Sequence, residues 1–291
     1  MDQIHQKGVA HGILFQLRVW HFGLMTVSLP AVSLAFCFIT GFIFSFDDVN
    51  ETMCEVKNFI PSISAVTGIT PQTYVWRICI ALHCAPRFTI AFFYYNYYLQ
   101  RLQNVHEKYQ GFFKILIKLN FWLNTVENAS LVGVTYVTNR ENYPIHEKIF
   151  VVFMVTSLCY MLSNLICFRM SRGQTMTQDE HRSYFWKKVM FASIMSATAG
   201  LLYFFARHRL LCEPGAFSYF SVCEYIIAYT NMGYHMTAVL DFKDKVLLFG
   251  TYTPQAGNGS ITNNNNIIRD KCKVPMVLPH NTISGNKKKR N

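Results

Sequence analysis

The chain has 291 residues, of which 51% are hydrophobic and only 15% charged, with a formal net charge of +11. An average soluble domain carries about 25% charged residues, so this composition excludes an ordinary water-soluble globule and matches a surface that faces lipid. The basic excess does not require nucleic acid, because its placement along the chain gives it another explanation.

Spanning about 30 Å of hydrocarbon takes ~17 to 25 helical residues at ~1.5 Å each. The first apolar run, 19–46, is bounded by Arg18 and Asp47 and carries no charge. It is too long for the apolar part of a secretory leader and is read as a retained helix. The run 75–100 holds Arg77 and Arg87, and 115–138 holds Lys118 and Glu127. The runs 149–168 and 189–206 are clean, and 216–240 holds Glu224 and His235. All six are read as helices, since loops inside hydrocarbon leave backbone groups unpaired at a cost of several kcal/mol each. The expected fold is therefore all-α: a polytopic bundle of six transmembrane helices filling 19–249. A cytosolic segment, 1–18, precedes it. From 250 to 291 the sequence turns to Asn, Gly, Thr and Lys, including Asn263 to Asn266 in a row. That stretch has too little apolar surface to offset ordering and reads as a disordered cytosolic tail.

Lys and Arg orient the bundle, because cytosolic segments carry the excess. Twenty lie in 1–18, 101–118, 169–188 and 241–291, against five in 47–74, 139–148 and 206–215. Both termini are thus expected in the cytosol, where basic residues gain about 1 kcal/mol each beside anionic lipid. Of nine cysteines, only Cys54 and Cys212 fall in loops assigned to the lumen, where disulfides persist, and they are expected to be bonded. Asn50-Glu51-Thr52 is a sequon close to the membrane, with modification not expected. Lys288 and Lys289 near the end match a dilysine signal for coat proteins; a solvated basic run is the competing reading.

Hydrolase, zinc-protease and nucleotide-binding motifs are missing, and no metal site is expected. The polar residues of the helices are not scattered. Asn120, Asn124, Glu127 and Asn128 stand at offsets 0, 4, 7 and 8 on the third helix, and Glu224, Asn231 and His235 at 0, 7 and 11 on the sixth. Each set lies on one face at ~100° per residue. On the second helix Trp76, His83 and Arg87 share a side, with Pro86 expected to kink the helix. Three stripes imply one shared interior opening toward the lumenal leaflet. There Arg77 and Arg87 balance Glu127 and Glu224, since buried charges must be paired. Such residues are either functional or interhelical glue worth about 1 kcal/mol each. An imidazole beside a guanidinium and a proline favours function for His83 and Arg87. His146-Glu147 and Arg207-His208, in short lumenal loops, could reach the mouth of the cavity, but read first as surface.

The ordered segments Val56 to Ser64, Tyr74-Val75-Trp76-Arg77, His83-Cys84-Ala85-Pro86-Arg87-Phe88, Val126-Glu127-Asn128, Ile145-His146-Glu147 and Thr230 to Thr237 resemble the FRAG/DRAM/Sfk membrane family, over about 11–249. The resemblance is to its branch that acts on glycosylphosphatidylinositol (GPI) anchors. It implies a Golgi and endoplasmic reticulum protein required to reacylate lyso-GPI at sn-2 with a saturated, stearoyl chain. Lyso-GPI and membrane phospholipid would then be its partners, with no cofactor beyond an acyl donor. For such a transfer His83 suits the base for the sn-2 hydroxyl and Arg87 the cation for phosphate or oxyanion, with Glu127 or Glu224 orienting the imidazole. Trp76, Arg77, Asn120, Asn124, Asn128, Asn231 and His235 would line the lipid site. A non-catalytic protein presenting lyso-GPI to a partner transferase, and a lipid transporter, remain alternatives.

Overall fold

A computed structural model describes residues 12–172, 176–243 and 245–251. The expected tail with Lys288 and Lys289, and most of the segment 1–18, lie outside these residues. The described chain is all-α apart from one two-stranded sheet. Strand β1 (Gly12–Arg18) leads into α1 (Val19–Phe44), and a bend separates α1 from the short α2 (Phe46–Asn50). A loop carrying the short α3 (Ile63–Thr67) leads to α4 (Gln72–Gln100), α5 (Glu107–Tyr136), α6 (Asn139–Met170), α7 (Gln178–Leu211) and α8 (Ala216–Met236). The chain closes with α9 (Ala238–Asp241) and strand β2 (Val246–Thr251), which pairs with β1.

Each of the six long helices packs on its neighbours in sequence, and α8 also packs on α1. Connections as short as 137–138 and 212–215 force antiparallel neighbours, as in other bundles. Four of the helices, α1, α4, α6 and α7, are long and apolar enough to cross a membrane. Large side chains such as Val32, Ile78, Val155 and Leu202 point outward. In water this would be unfavourable; in lipid it costs nothing.

Several helices reach beyond their apolar runs because their start signals lie outside those runs. α6 begins at Asn139, where the Thr138 hydroxyl accepts the Glu141 amide N–H and the Glu141 carboxylate accepts the Thr138 N–H. This reciprocal capping box satisfies two otherwise orphaned donors. Asn142 then breaks the helix with φ −157°, and its side-chain oxygen accepts the Ile145 amide N–H, restarting it just ahead of Pro144. The stretch 139–148 is therefore largely helical, not the loop read from its polarity. A second capping box, Thr177 with Glu180, starts α7, eleven residues before the run at 189. At the far end of α7, Cys212 turns left-handed (φ 46°), and Gly215 (φ 78°) supplies a conformation that side chains resist before α8 begins. α4 continues through Pro86 as one helix, and the Cys84 carbonyl in the preceding turn accepts the Asn128 amide at 2.9 Å.

Candidate functional site

The polar stripes of α4, α5 and α8 converge. Arg87 from α4 places Nη2 at 3.1 Å from Glu127 Oε1 on α5, with exposures of 2% and 0%. The same oxygen accepts the Asn231 side-chain amide at 2.7 Å and lies 3.1 Å from His235 Nε2, both on α8. His235 Nε2 is also 2.6 Å from Arg87 Nη2. One ring nitrogen donates to Glu127 or accepts from Arg87, but not both. Among the described residues, Glu127 Oε2 and Arg87 Nε and Nη1 have no hydrogen-bond partner. Helices read as clean contribute too. Ser157 of α6 accepts from Asn231 at 2.8 Å, Tyr160 stacks on His235 at 5.3 Å, and Ser163 accepts the Asn120 amide at 2.8 Å. Asn124 is buried in the same row of α5, and its oxygen has no partner among the described residues.

His83, one turn before Arg87, is buried, and its Nδ1 lies 2.7 Å from the Thr26 carbonyl oxygen of α1. A carbonyl only accepts, so Nδ1 carries the hydrogen and the neutral ring keeps a lone pair on Nε2. The group that orients His83 is thus a backbone carbonyl of α1, not Glu127 or Glu224 as expected. His83 also separates two cavities. The smaller, about 20 Å³, lies against Arg87 and His235. That is room for about one water, so a phosphate group does not fit beside Arg87 in this conformation.

The larger cavity, about 90 Å³, runs from His83 toward the end of the bundle that carries α3. Trp76, Ile80, Leu131, Phe150 and Ile227 give it an apolar wall, and Ser64, His83, His146, Glu224 and Asn231 supply its polar groups. Glu224 is buried and accepts the Ile63 amide N–H at 2.8 Å. Among the described residues it has no arginine partner, its hydrogen bond coming from the Ile63 amide. Arg77 instead pairs with Glu141 at 2.9 Å and reaches the Tyr136 carbonyl at the helix ends. The expected pairing of Arg77 with the interior glutamates fails because the Glu141 capping carboxylate is nearer the surface, where both groups stay hydrated.

His146, read as surface, is buried in the cavity wall with Nε2 at 2.9 Å from the Ser64 hydroxyl. Arg207 does remain at the surface, paired with Glu213, whose carboxyl this hydrogen bond holds below the usual range. His208 packs inward against Phe217. Cys54 and Cys212 are joined by a disulfide that ties the α2–α3 loop to the end of α7. The amide of Asn50 is turned inward to the Phe46 carbonyl, so a glycan there would have to displace a buried contact. Among the described residues no three His, Cys, Asp or Glu side chains are grouped to hold a metal ion.

At the opposite end of the bundle lies a second buried ion pair that sequence reasoning missed. Lys187 Nζ is 2.7 Å from Asp241 Oδ2, both at 0% exposure. Asp241 also accepts from Tyr94 at 2.6 Å and Ser183 at 2.5 Å, and Lys187 donates to Thr237 at 2.5 Å. The Thr177–Glu180 capping box was the available signal: it puts Lys187 nine residues inside α7 instead of in a loop.

These features define a helical membrane protein with an ion-paired polar interior beside an apolar cavity. Residues 18–245 match the family model described as Frag1/DRAM/Sfk1/Cwh43P N-terminal domain, and the chain belongs to that family. It is 48% identical over 225 residues to a Drosophila melanogaster protein named post-GPI attachment to proteins factor 2-like, covering 77% of this chain and 69% of that one. It is 38% identical over 236 residues to Acyltransferase PGAP2 of Xenopus tropicalis (81% and 92% covered). It is 34% identical over 222 residues to post-GPI attachment to proteins factor 2 of Caenorhabditis elegans (75% and 82%). No solved structure matches significantly.

Proposed function

We propose that the protein remodels the lipid of GPI anchors after their attachment, by transferring a saturated, stearoyl chain to the sn-2 hydroxyl of lyso-GPI. In this reading six helices, α1 and α4 to α8, cross the membrane of the Golgi or endoplasmic reticulum with both chain termini in the cytosol. Residues 19–249 form the membrane domain between a cytosolic segment and a cytosolic tail. The Lys and Arg excess on one side supports that orientation. The end of the bundle carrying α3 and the disulfide then faces the lumen, the leaflet in which GPI anchors lie.

The observation that carries the reading is the larger cavity. Its apolar walls suit an acyl chain, and Ser64, His83, His146, Glu224 and Asn231 set polar groups into that apolar lining, as binding and transfer to a hydroxyl require. Its volume of about 90 Å³ takes the reacting ester and not a whole stearoyl chain, so the remainder lies between helices. His83 offers its free Nε2 to a hydroxyl of the bound headgroup. Arg87, Glu127, Asn231 and His235 fix α4, α5 and α8 behind it, and Glu224 holds α3 over the cavity. The name of the Xenopus tropicalis relative, Acyltransferase PGAP2, favours catalysis over mere presentation of the lipid.

The test is to incubate the purified full chain in nanodiscs with lyso-GPI and distearoylphosphatidylcholine or stearoyl-CoA, and to analyse the anchor by mass spectrometry. Diacyl anchor formed in proportion to protein supports transfer. Saturable lyso-GPI binding without product would instead favour presentation to a partner transferase.

A further inference from the structure

Ser64 lies on α3 and His146 on α6, 82 positions apart, yet the serine hydroxyl and His146 Nε2 are 2.9 Å from each other. The other ring nitrogen, Nδ1, is 2.7 Å from the Val137 carbonyl oxygen. That carbonyl can only accept, so Nδ1 carries the hydrogen and Nε2 of the neutral ring is left with its lone pair. With the ring neutral, the Ser64 hydroxyl is the donor. A hydroxyl hydrogen-bonded to an imidazole, itself held in one tautomer by a third group, is the geometry of an activated serine nucleophile. A carbonyl in place of a carboxylate fixes the ring and stabilises its charged form less.

Both side chains line the larger cavity, as does Glu224. Glu224 binds the amide N–H of Ile63, the residue before Ser64, at 2.8 Å. The Ser62 hydroxyl accepts the Ala65 amide N–H and caps the turn. α3 is thereby clamped to α8 from one side and joined to α6 through His146 from the other. A serine needed only for packing would not require a tautomer-fixed base facing an apolar cavity.

We infer that Ser64 is the nucleophile of a double-displacement acyl transfer, with His146 as its general base and acid and Glu224 as a positioning residue. The inference rests on the acyl-transfer reading above and specifies its chemistry. In the first half-reaction the Ser64 proton passes to His146 Nε2 as Oγ attacks the acyl carbon of a phospholipid ester or a thioester. The Oγ–carbon bond forms, the donor's acyl–oxygen or acyl–sulfur bond breaks, and His146 returns the proton to the departing group. In the second, the sn-2 hydroxyl of the lyso lipid gives its proton to His146 and attacks the acyl-serine. The carbon–Oγ bond breaks and Ser64 regains the proton. No oxidant, reductant or metal is consumed. His83, on the opposite side of the cavity, holds a different headgroup hydroxyl.

The test uses the full chain in nanodiscs with labelled distearoylphosphatidylcholine, or separately with labelled stearoyl-CoA, and no acceptor. The expected result is a stearoyl adduct on the peptide containing Ser64, from whichever donor is used in the cell. The adduct should be chased off by lyso-GPI, absent in Ser64→Ala, and formed ~100-fold more slowly in His146→Gln. Ser64→Cys is expected to carry the chain as a thioester cleaved by neutral hydroxylamine, a change that a structural role for Ser64 would not produce. Transfer that persists in Ser64→Ala without any adduct overturns the serine and leaves the acyl-transfer reading standing. Absence of both adduct and transfer in the folded wild-type chain with either donor overturns the two together.

Discussion

Glu127 and Asn231 are 104 positions apart in sequence and 2.7 Å apart in space. Through that bond and the adjacent Arg87 the three polar helices meet on a single carboxylate oxygen. Both charges are withdrawn from solvent, so each depends on the other. Glu127→Ala is expected to destabilise the protein by about 3–5 kcal/mol, because Arg87 is left buried without its counter-charge. The double change Arg87→Met, Glu127→Leu should recover most of the loss. Thermal unfolding in detergent checks both, and equal destabilisation by the single and double variants would refute the pairing.

The pair of Lys187 and Asp241 predicts the same pattern at the other end of the bundle. Asp241→Asn should cost a few kcal/mol and lower the yield of folded protein, without changing acyl transfer per folded molecule. A drop in specific transfer with normal unfolding temperature would contradict a purely structural role.

His83→Gln keeps a donor for the Thr26 carbonyl and removes the imidazole lone pair from the cavity. We expect transfer to fall about tenfold, the effect of losing one buried hydrogen bond to a ligand, mainly through a raised KM for lyso-GPI. Michaelis analysis of the variant is the check; an unchanged KM would remove His83 from the acceptor site.

Ala228 lines the larger cavity. Ala228→Phe should fill it, costing about 1–3 kcal/mol of stability through overpacking and blocking the acyl chain. Loss of adduct formation and of lipid binding in a folded variant is expected. Undiminished transfer would mean that the chain binds elsewhere.

Removing the disulfide with Cys54→Ser should cost about 2–5 kcal/mol and loosen the loop that carries α3. Unfolding measured with and without reductant checks this: wild-type protein should shift and the variant should not.

Much of this arrangement was legible in the sequence. Offsets of 7 between Glu224 and Asn231, and of 7 and 8 from Asn120 to Glu127 and Asn128, place side chains on one helical face wherever the helix begins. The need to neutralise buried charge then brings Arg87 to Glu127. What stayed hidden depends on where helices start and on loops. Lys187 looked like a loop residue because hydropathy marks the apolar centre of α7 and is blind to the Thr177–Glu180 box that extends it. The partner of Arg77, Glu141, sits in a polar stretch that hydropathy does not mark as helix, and only the Thr138–Glu141 capping box places it at the start of α6. The contact of Ser64 with His146 has no periodicity behind it: it exists because a long loop folds back over the bundle. The pairing of β1 with β2 joins the two ends of the described chain, a long-range register that neither strand's sequence announces.

The most direct measurement of the central claim, that the cavity beside His83 and His146 transfers an acyl chain to lyso-GPI, is mass spectrometry of the anchor after incubation with purified protein and a stearoyl donor. The account predicts diacyl anchor with stearate at sn-2 from the wild-type chain and none from Ala228→Phe. Lyso-GPI bound but unaltered, with either donor, would contradict it.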